Sequence, residues 1–277
     1  MTDTESRRID SFTSPRPADM QVHLHNGELL VELVETDVVA VVVAAVLDPD
    51  RRLAELIGSP ADPAVAPEAV RKTQVQFEHG HLVVQAPSGR LKSVPLRIIV
   101  RAPYGSDVTL TGKKGRYTVT GPAAGVRATW DQGDLTTTGT VSGRTKLRAD
   151  EGRVRLDQLA GAADLRVGTA TLGVAHLGGA TTITTGSGTV ELGTVSADVS
   201  LTTGAGTVTV ADAVAGSLTI KTGPGSIRIG VRPGVAAAAE ISSRNGRTVN
   251  ELPESPGDAP LRIDASSTSG DVTVTSA

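Results

Sequence analysis

The stretch Thr181-Thr182-Ile183-Thr184-Thr185-Gly186-Ser187-Gly188-Thr189-Val190-Glu191-Leu192 is answered further along the chain by Val199-Ser200-Leu201-Thr202-Thr203-Gly204-Ala205-Gly206-Thr207-Val208-Thr209-Val210. Both read as alternating apolar and polar residues, a glycine, and the alternation resumed. Outward from Gly188 and Gly206 the glycine recurs at Gly115, Gly133, Gly152 and Gly225, with Ala170 at the one skipped step, and every step is the same to within a single position. A fixed period with its own internal hydrophobic pattern marks an architecture whose units stack on one another.

Registering the repeats on the glycine turns every other position into a column. Two residues after it stand Tyr117, Leu135, Val154, Leu172, Val190, Val208 and Ile227; four after it stand Val119, Thr137, Leu156, Val174, Leu192, Val210 and Ile229. Five before it come Leu110, Ala128, Leu147, Leu165, Ile183, Leu201 and Ile220, and seven before it Val108, Val126, Thr145, Ala163, Thr181, Val199 and Leu218. Each unit is therefore strand, glycine turn, strand, with these columns on the inner face. The fold expected is all-β, a single-stranded, right-handed β-solenoid of about 18 residues per coil. Ser243-Arg244-Asn245-Gly246 and Ser267-Thr268-Ser269-Gly270 restart the motif after longer steps, whose extra length reads as loops around Pro233-Gly234 and over residues 252–257. About nine coils would make a rod roughly 40 Å long.

The first third is less regular. Residues 1–18 are charged and proline-bearing and read as a loosely held arm, with Phe12 as its one anchor. Residues 19–105 read as a β-rich cap, and 106–277 as the solenoid. Val22 and Leu24, the turn Asn26-Gly27, then Leu29, Val31 and Leu33 form an early version of the repeat unit. Residues 50–57 suit a short helix that Pro60, Pro63 and Pro67 prevent from lengthening. The valine-rich run from Val38 to Leu47 is too short to span a bilayer and reads as a buried strand.

Pro103-Tyr104-Gly105-Ser106-Asp107-Val108-Thr109-Leu110 leads into units such as Gly188-Thr189-Val190-Glu191-Leu192, Asp198-Val199-Ser200-Leu201-Thr202-Thr203-Gly204 and Ser269-Gly270-Asp271-Val272-Thr273-Val274. In these the chain resembles, over residues 20–277, the bacterial DUF4097 family of proteins labelled putative adhesins. The resemblance implies a β-solenoid with no assigned chemistry.

Composition bounds the function. A net charge of −3 supplies no electrostatic reason to bind nucleic acid or an anionic membrane, and the five aromatic residues offer few stacking platforms. Cysteine is absent, which removes disulfides, thiolate metal sites and a cysteine nucleophile. The polar start, Met1 to Arg8, does not read as an export signal, so a cytoplasmic location without membrane insertion is expected, the cell surface being the alternative.

Four groupings invite a chemical reading, and each has a plainer one. His23/His25 and His79/His81 place imidazoles two residues apart, as a strand-borne zinc or nickel site would, but they suit solvent-facing positions better. Asp131, Asp134, Asp150 and Glu151 gather at one expected corner, where calcium or an acid/base pair is conceivable and neutralisation by Lys113, Lys114 and Arg153 is favoured. The outward Thr182/Thr184 and Ser200/Thr202 reflect the β-propensity of threonine, and Trp130 fills a widened end of the core. No catalytic, cofactor-binding or metal-binding residue is assigned. The expectation is a non-enzymatic scaffold for a protein partner inside a bacterial cell, touching it through residues 232–242, residues 250–260 and the threonine face. A surface adhesin binding glycan or matrix is the alternative, and a carbohydrate-active β-helix enzyme at the acidic corner the remote one. A homo-oligomer through the C-terminal coil is also expected, because the chain ends on the strand Val272 to Thr275 with nothing evident to cover it.

Overall fold

The computed structural model describes residues 7–253 and 259–277. The chain forms two compact units, Met1–Arg144 and Thr145–Ala277. No described helix is long and apolar enough to cross a membrane.

The first unit contains β1 (Arg7–Thr13), β2 (Asp19–Val34), β3 (Val38–Ala45), α1 (Arg51–Ile57), α2 (Ala66–Lys72), β4 (Gln74–Glu78), β5 (His81–Gln85), β6 (Leu96–Pro103), β7 (Asp107–Thr120), β8 (Gly125–Thr138) and β9 (Thr140–Val141). β7 and β8 are parallel neighbours with Asp107 opposite Gly125, one repeat apart as expected. β2 joins them as a true coil: Asp19 lies opposite Asp107 and Gly27 opposite Gly115. The whole segment between Val34 and Asp107 is one excursion. Part of it returns to the far side of β2, where β5 sets His81 against Asp19 and β6 sets Leu96 against Gly27, both parallel. The coil order in space is thus β5/β6, β2, β7, β8. β3 pairs antiparallel with β6, β1 antiparallel with β3, and β4 antiparallel with β5, so reversed strands cover the outer coil.

Of the expected loose arm, residues 1–6 lie outside the described residues, and the expectation is corrected for Arg7–Thr13, which is a strand. Its alternation is inverted, with Ile9 61% exposed while Arg8 and Asp10 turn inward. Arg8 donates through Nη1 to the Thr73 carbonyl at 2.7 Å and pairs with Asp10, so polar partners hold the inner face. Phe12 does anchor it, stacking on Phe77 with ring centroids 5.3 Å apart. The short helix falls where expected. Asp50 accepts from the Leu53 amide at 2.9 Å as its N-cap, Gly58 ends it, and Leu53, Leu56 and Ile57 pack with Val46.

The second unit holds β10 (Thr145–Leu159), β11 (Ala163–Leu177), β12 (Thr181–Val195), β13 (Val199–Ala213), β14 (Gly216–Pro224), β15 (Ile227–Val231), β16 (Ala237–Ser243), β17 (Thr248–Asn250), β18 (Leu261–Ser269) and β19 (Val272–Ser276). Thr145, Ala163, Thr181, Val199 and Leu218 stand in parallel register, as the columns require. The inner columns are buried in both units, Thr145, Thr181 and Thr137 included. A further column, Leu159, Leu177, Val195 and Ala213, is buried as well. Gly206 shows why glycine holds the corner: its φ is +143°, and a Cβ there would lie 1.8 Å from the Gly188 carbonyl oxygen of the preceding coil. Trp130, in the first unit, is buried against Tyr117, whose hydroxyl occupies the space that a side chain at Gly112 would fill.

After β15 the order in space departs from the order in the chain. β14 and β15 are followed by β18 and β19, not by β16 and β17. β16 then pairs on the outer side of β18, and β17 on the outer side of β19. Val272 to Thr275 is consequently not an open edge, because β19 has β15 on one side and β17 on the other. The first late step is also mostly strand β16, its loop being residues 232–236.

Candidate functional site

A cleft of about 970 Å³ lies in the first unit, between the α1–α2 insertion and the connection from β5 to β6. Residues 57–60 after α1 and the α2 side chains Glu68 and Lys72 form one side; Ser88, Arg90 and Leu91 form the other. Its lining also includes Asn26 of the β2 turn and the cross-strand pair Gln74 and Gln85. Asn26 donates from Nδ2 to the Ser93 carbonyl at 3.1 Å, while its buried Oδ1 has no hydrogen-bond partner among the described residues. Lys72 pairs with Glu68 at 2.7 Å and holds that carboxyl below the usual carboxylate range. The lining thus carries carboxamides and hydroxyls, the Glu68–Lys72 ion pair, the Asp62 carboxylate and the Arg90 cation. Such groups can recognise hydrogen-bonding ligands.

The helical side of the cleft is fixed to the coil wall by charge. One residue after the glycine column, Arg97, Glu28, Arg116 and Asp134 follow one another across β6, β2, β7 and β8, alternating in sign. Glu28 pairs with Arg97 at 2.7 Å and with Arg116 at 3.4 Å. Arg116 also grips Asp50 with two nitrogens, at 2.6 and 2.8 Å, and Arg52 grips Asp134 the same way, at 2.7 Å for both bonds. Asp50 therefore caps α1 and ties it down; Arg116 holds its carboxyl far below the usual range. Bidentate pairing fixes orientation as well as distance.

The carboxylates expected at one acidic corner are divided between the two units. Asp131 and Asp134 belong to the first unit, Asp150 and Glu151 to the second. Asp134 is taken by Arg52, a residue the repeat pattern had no means of placing, and Asp131, Asp150 and Glu151 are exposed. Of the histidines, His23 and His25 are half-buried on β2. Burial, with Lys113 and Lys92 nearby, pushes the His25 imidazole below its ordinary value. His79 sits in the β4–β5 turn with φ +51°, so it does not share a strand face with His81, whose Nδ1 is 3.2 Å from Asp19 Oδ2. Among the described residues no three His, Asp or Glu side chains converge as a metal site. In the second unit Thr182, Thr184, Ser200 and Thr202 are exposed on adjacent coils. Of residues 250–260, Glu254 to Asp258 lie outside the described residues.

No family model matches the chain, and no curated protein does. Among solved structures, a putative adhesin from Bacteroides fragilis is 13% identical with a TM-score of 0.36, over 99% of this chain and 98% of that one. A putative adhesin from Parabacteroides merdae is 12% identical with a TM-score of 0.34, over 99% and 97%. A putative cell adhesion protein from Clostridium sporogenes is 9% identical with a TM-score of 0.25, over 98% and 100%. The similar structures thus carry names of bacterial adhesion proteins, at identities and scores too low to bear on what this chain binds.

Proposed function

We propose that the protein is a non-enzymatic binding scaffold, whose stacked coils hold a preformed polar cleft against a partner protein. The observation that carries this is the clamp: two bidentate arginine–carboxylate pairs fix α1, and with it one side of the cleft, to the coil wall. A site ordered in advance does not lose conformational entropy on binding, which suits recognition. The second reading, an adhesin engaging glycan, draws on the lining itself, because Asn26, Gln74, Gln85, Ser88 and Ser93 offer the amide and hydroxyl groups that a hydroxyl-rich ligand needs.

The test uses the full chain and its Gln85→Ala/Arg90→Ala variant as baits on separated cytosol and envelope, and both on a glycan array. A cytosolic protein held stoichiometrically by the parent and lost by the variant sustains the scaffold reading. Glycan binding lost in the variant sustains the adhesin reading instead. A partner or glycan held equally by both chains overturns the cleft as the site.

A further inference from the structure

We infer that the outer edge of β16 is the surface through which two copies of this chain pair. Among the described residues β16 has a strand neighbour on one side only, β18, so its other side presents a row of backbone donors and acceptors. The core is also open there. Ala239 and Ile241 are half-buried, whereas the residues beside them one coil inward, Ile263 and Ala265, are 2% and 1% exposed. In the first unit, by contrast, the outer coil β5/β6 is covered by the antiparallel strands β4 and β3.

The occupant follows from the charges on this edge. Glu240 and Arg244 are both exposed; Arg244 directly follows β16, and its amide bonds to the Ser267 carbonyl at 3.1 Å, which continues the ladder with β18 by one hydrogen bond. An antiparallel neighbour must keep inward residues opposite inward ones, which restricts the register to steps of two residues. A two-fold axis through Ser242 sets Glu240 opposite Arg244 of the second copy and, by symmetry, Arg244 opposite Glu240. The same axis places Ile241 opposite Ser243 on the inner face. Centring on Glu240 would confront two carboxylates, and centring on Ile241 leaves Glu240 against Ser242. The edge is therefore complementary to itself in one register, as an isologous dimer requires.

Sedimentation equilibrium on the full chain tests this. The parent chain is expected to dimerise. Glu240→Arg and Arg244→Glu, each confronting like charges, are expected to weaken self-association about tenfold or more. The double variant Glu240→Arg/Arg244→Glu restores it, and the two single variants pair with each other when mixed. Circular dichroism identical to the parent's separates lost pairing from lost folding. A parent chain that stays monomeric at its solubility limit overturns the proposal, and so does a dimer indifferent to the single reversals. Capture of a foreign extended peptide at this edge by a monomeric parent would likewise overturn the second copy as occupant.

Discussion

Replacing Gly206 with alanine tests the stacking geometry most directly. The residue has φ +143°, and an added Cβ would lie 1.8 Å from the Gly188 carbonyl oxygen, where 3.0 Å is the practical limit. Neighbouring coils must then separate by at least the difference, about 1.2 Å, at a point where they are about 4.8 Å apart. That opens the pairing on both flanks, at Ser187 with Ala205 and Thr189 with Thr207. Backbone strain of about 1–3 kcal/mol and overpacking of about 1–3 kcal/mol predict a loss of roughly 2–6 kcal/mol. Gly173→Ala is the control, since the nearest atom to its added Cβ is 4.0 Å away. A strand glycine with such room should tolerate alanine or gain up to about 1 kcal/mol. Urea unfolding followed by circular dichroism measures both, with the slope compared so that a change in cooperativity is not mistaken for a change in stability. If the two variants fall within about 0.5 kcal/mol of each other, the account of the glycine column is wrong.

Two further outcomes follow from the first unit. Asp50→Ala removes both the α1 cap and the grip of Arg116, whereas Asp50→Asn keeps a capping oxygen; alanine should lower the thermal midpoint more, and amide exchange over residues 51–57 should rise more in alanine than in asparagine. Acid should destabilise the fold in two stages. The depressed His25 imidazole contributes stability that is present above the ordinary value of 6.5 and is lost as pH falls through its folded value, so His25→Gln should flatten the first decline of the midpoint. Asp50, Glu68 and Asp212, held low by Arg116, Lys72 and Arg232, then lose their contributions as pH falls through their folded values. Asp107, raised by burial and by Asp19, acts in the opposite sense, its contribution being lost as pH rises through its folded value.

The repeat was legible because its columns carry two signals at once, apolar alternation and a glycine where no Cβ fits. Hence Leu147, Leu165, Ile183 and Leu201 could be placed side by side from spacing alone, as the registers bear out. The order of coils at the ends was not legible, for a physical reason. A coil that matches one neighbour's columns matches any other's, so Gly270 fits on Gly225 as well as Gly246 would. Connections and closure, not periodicity, decide between them. β1 was missed because Arg8 and Asp10 point inward and Ile9 outward, the reverse of the usual pattern. The cleft is built largely from irregular connections such as residues 57–60 and 86–95, which carry no period to read. The clamp did leave a trace, in the alternating signs of Glu28, Arg116 and Asp134 beside the glycine column, although nothing local shows that α1 would lie across it.

The interleaving of β18 and β19 between β14/β15 and β16/β17 bears on how the chain is made. Synthesis delivers β16 before β18, and β16 carries the same inward spacing, with Ala237 and Ile241 where β18 has Leu261 and Ala265. A nascent chain halted after Asn250 thus holds a segment able to settle on β14 in a berth reserved for residues not yet translated. Finishing the molecule requires that berth to be kept open or vacated, so growth by adding each new coil to the last cannot complete it. A product cut short there lacks an inner layer, not its outermost one.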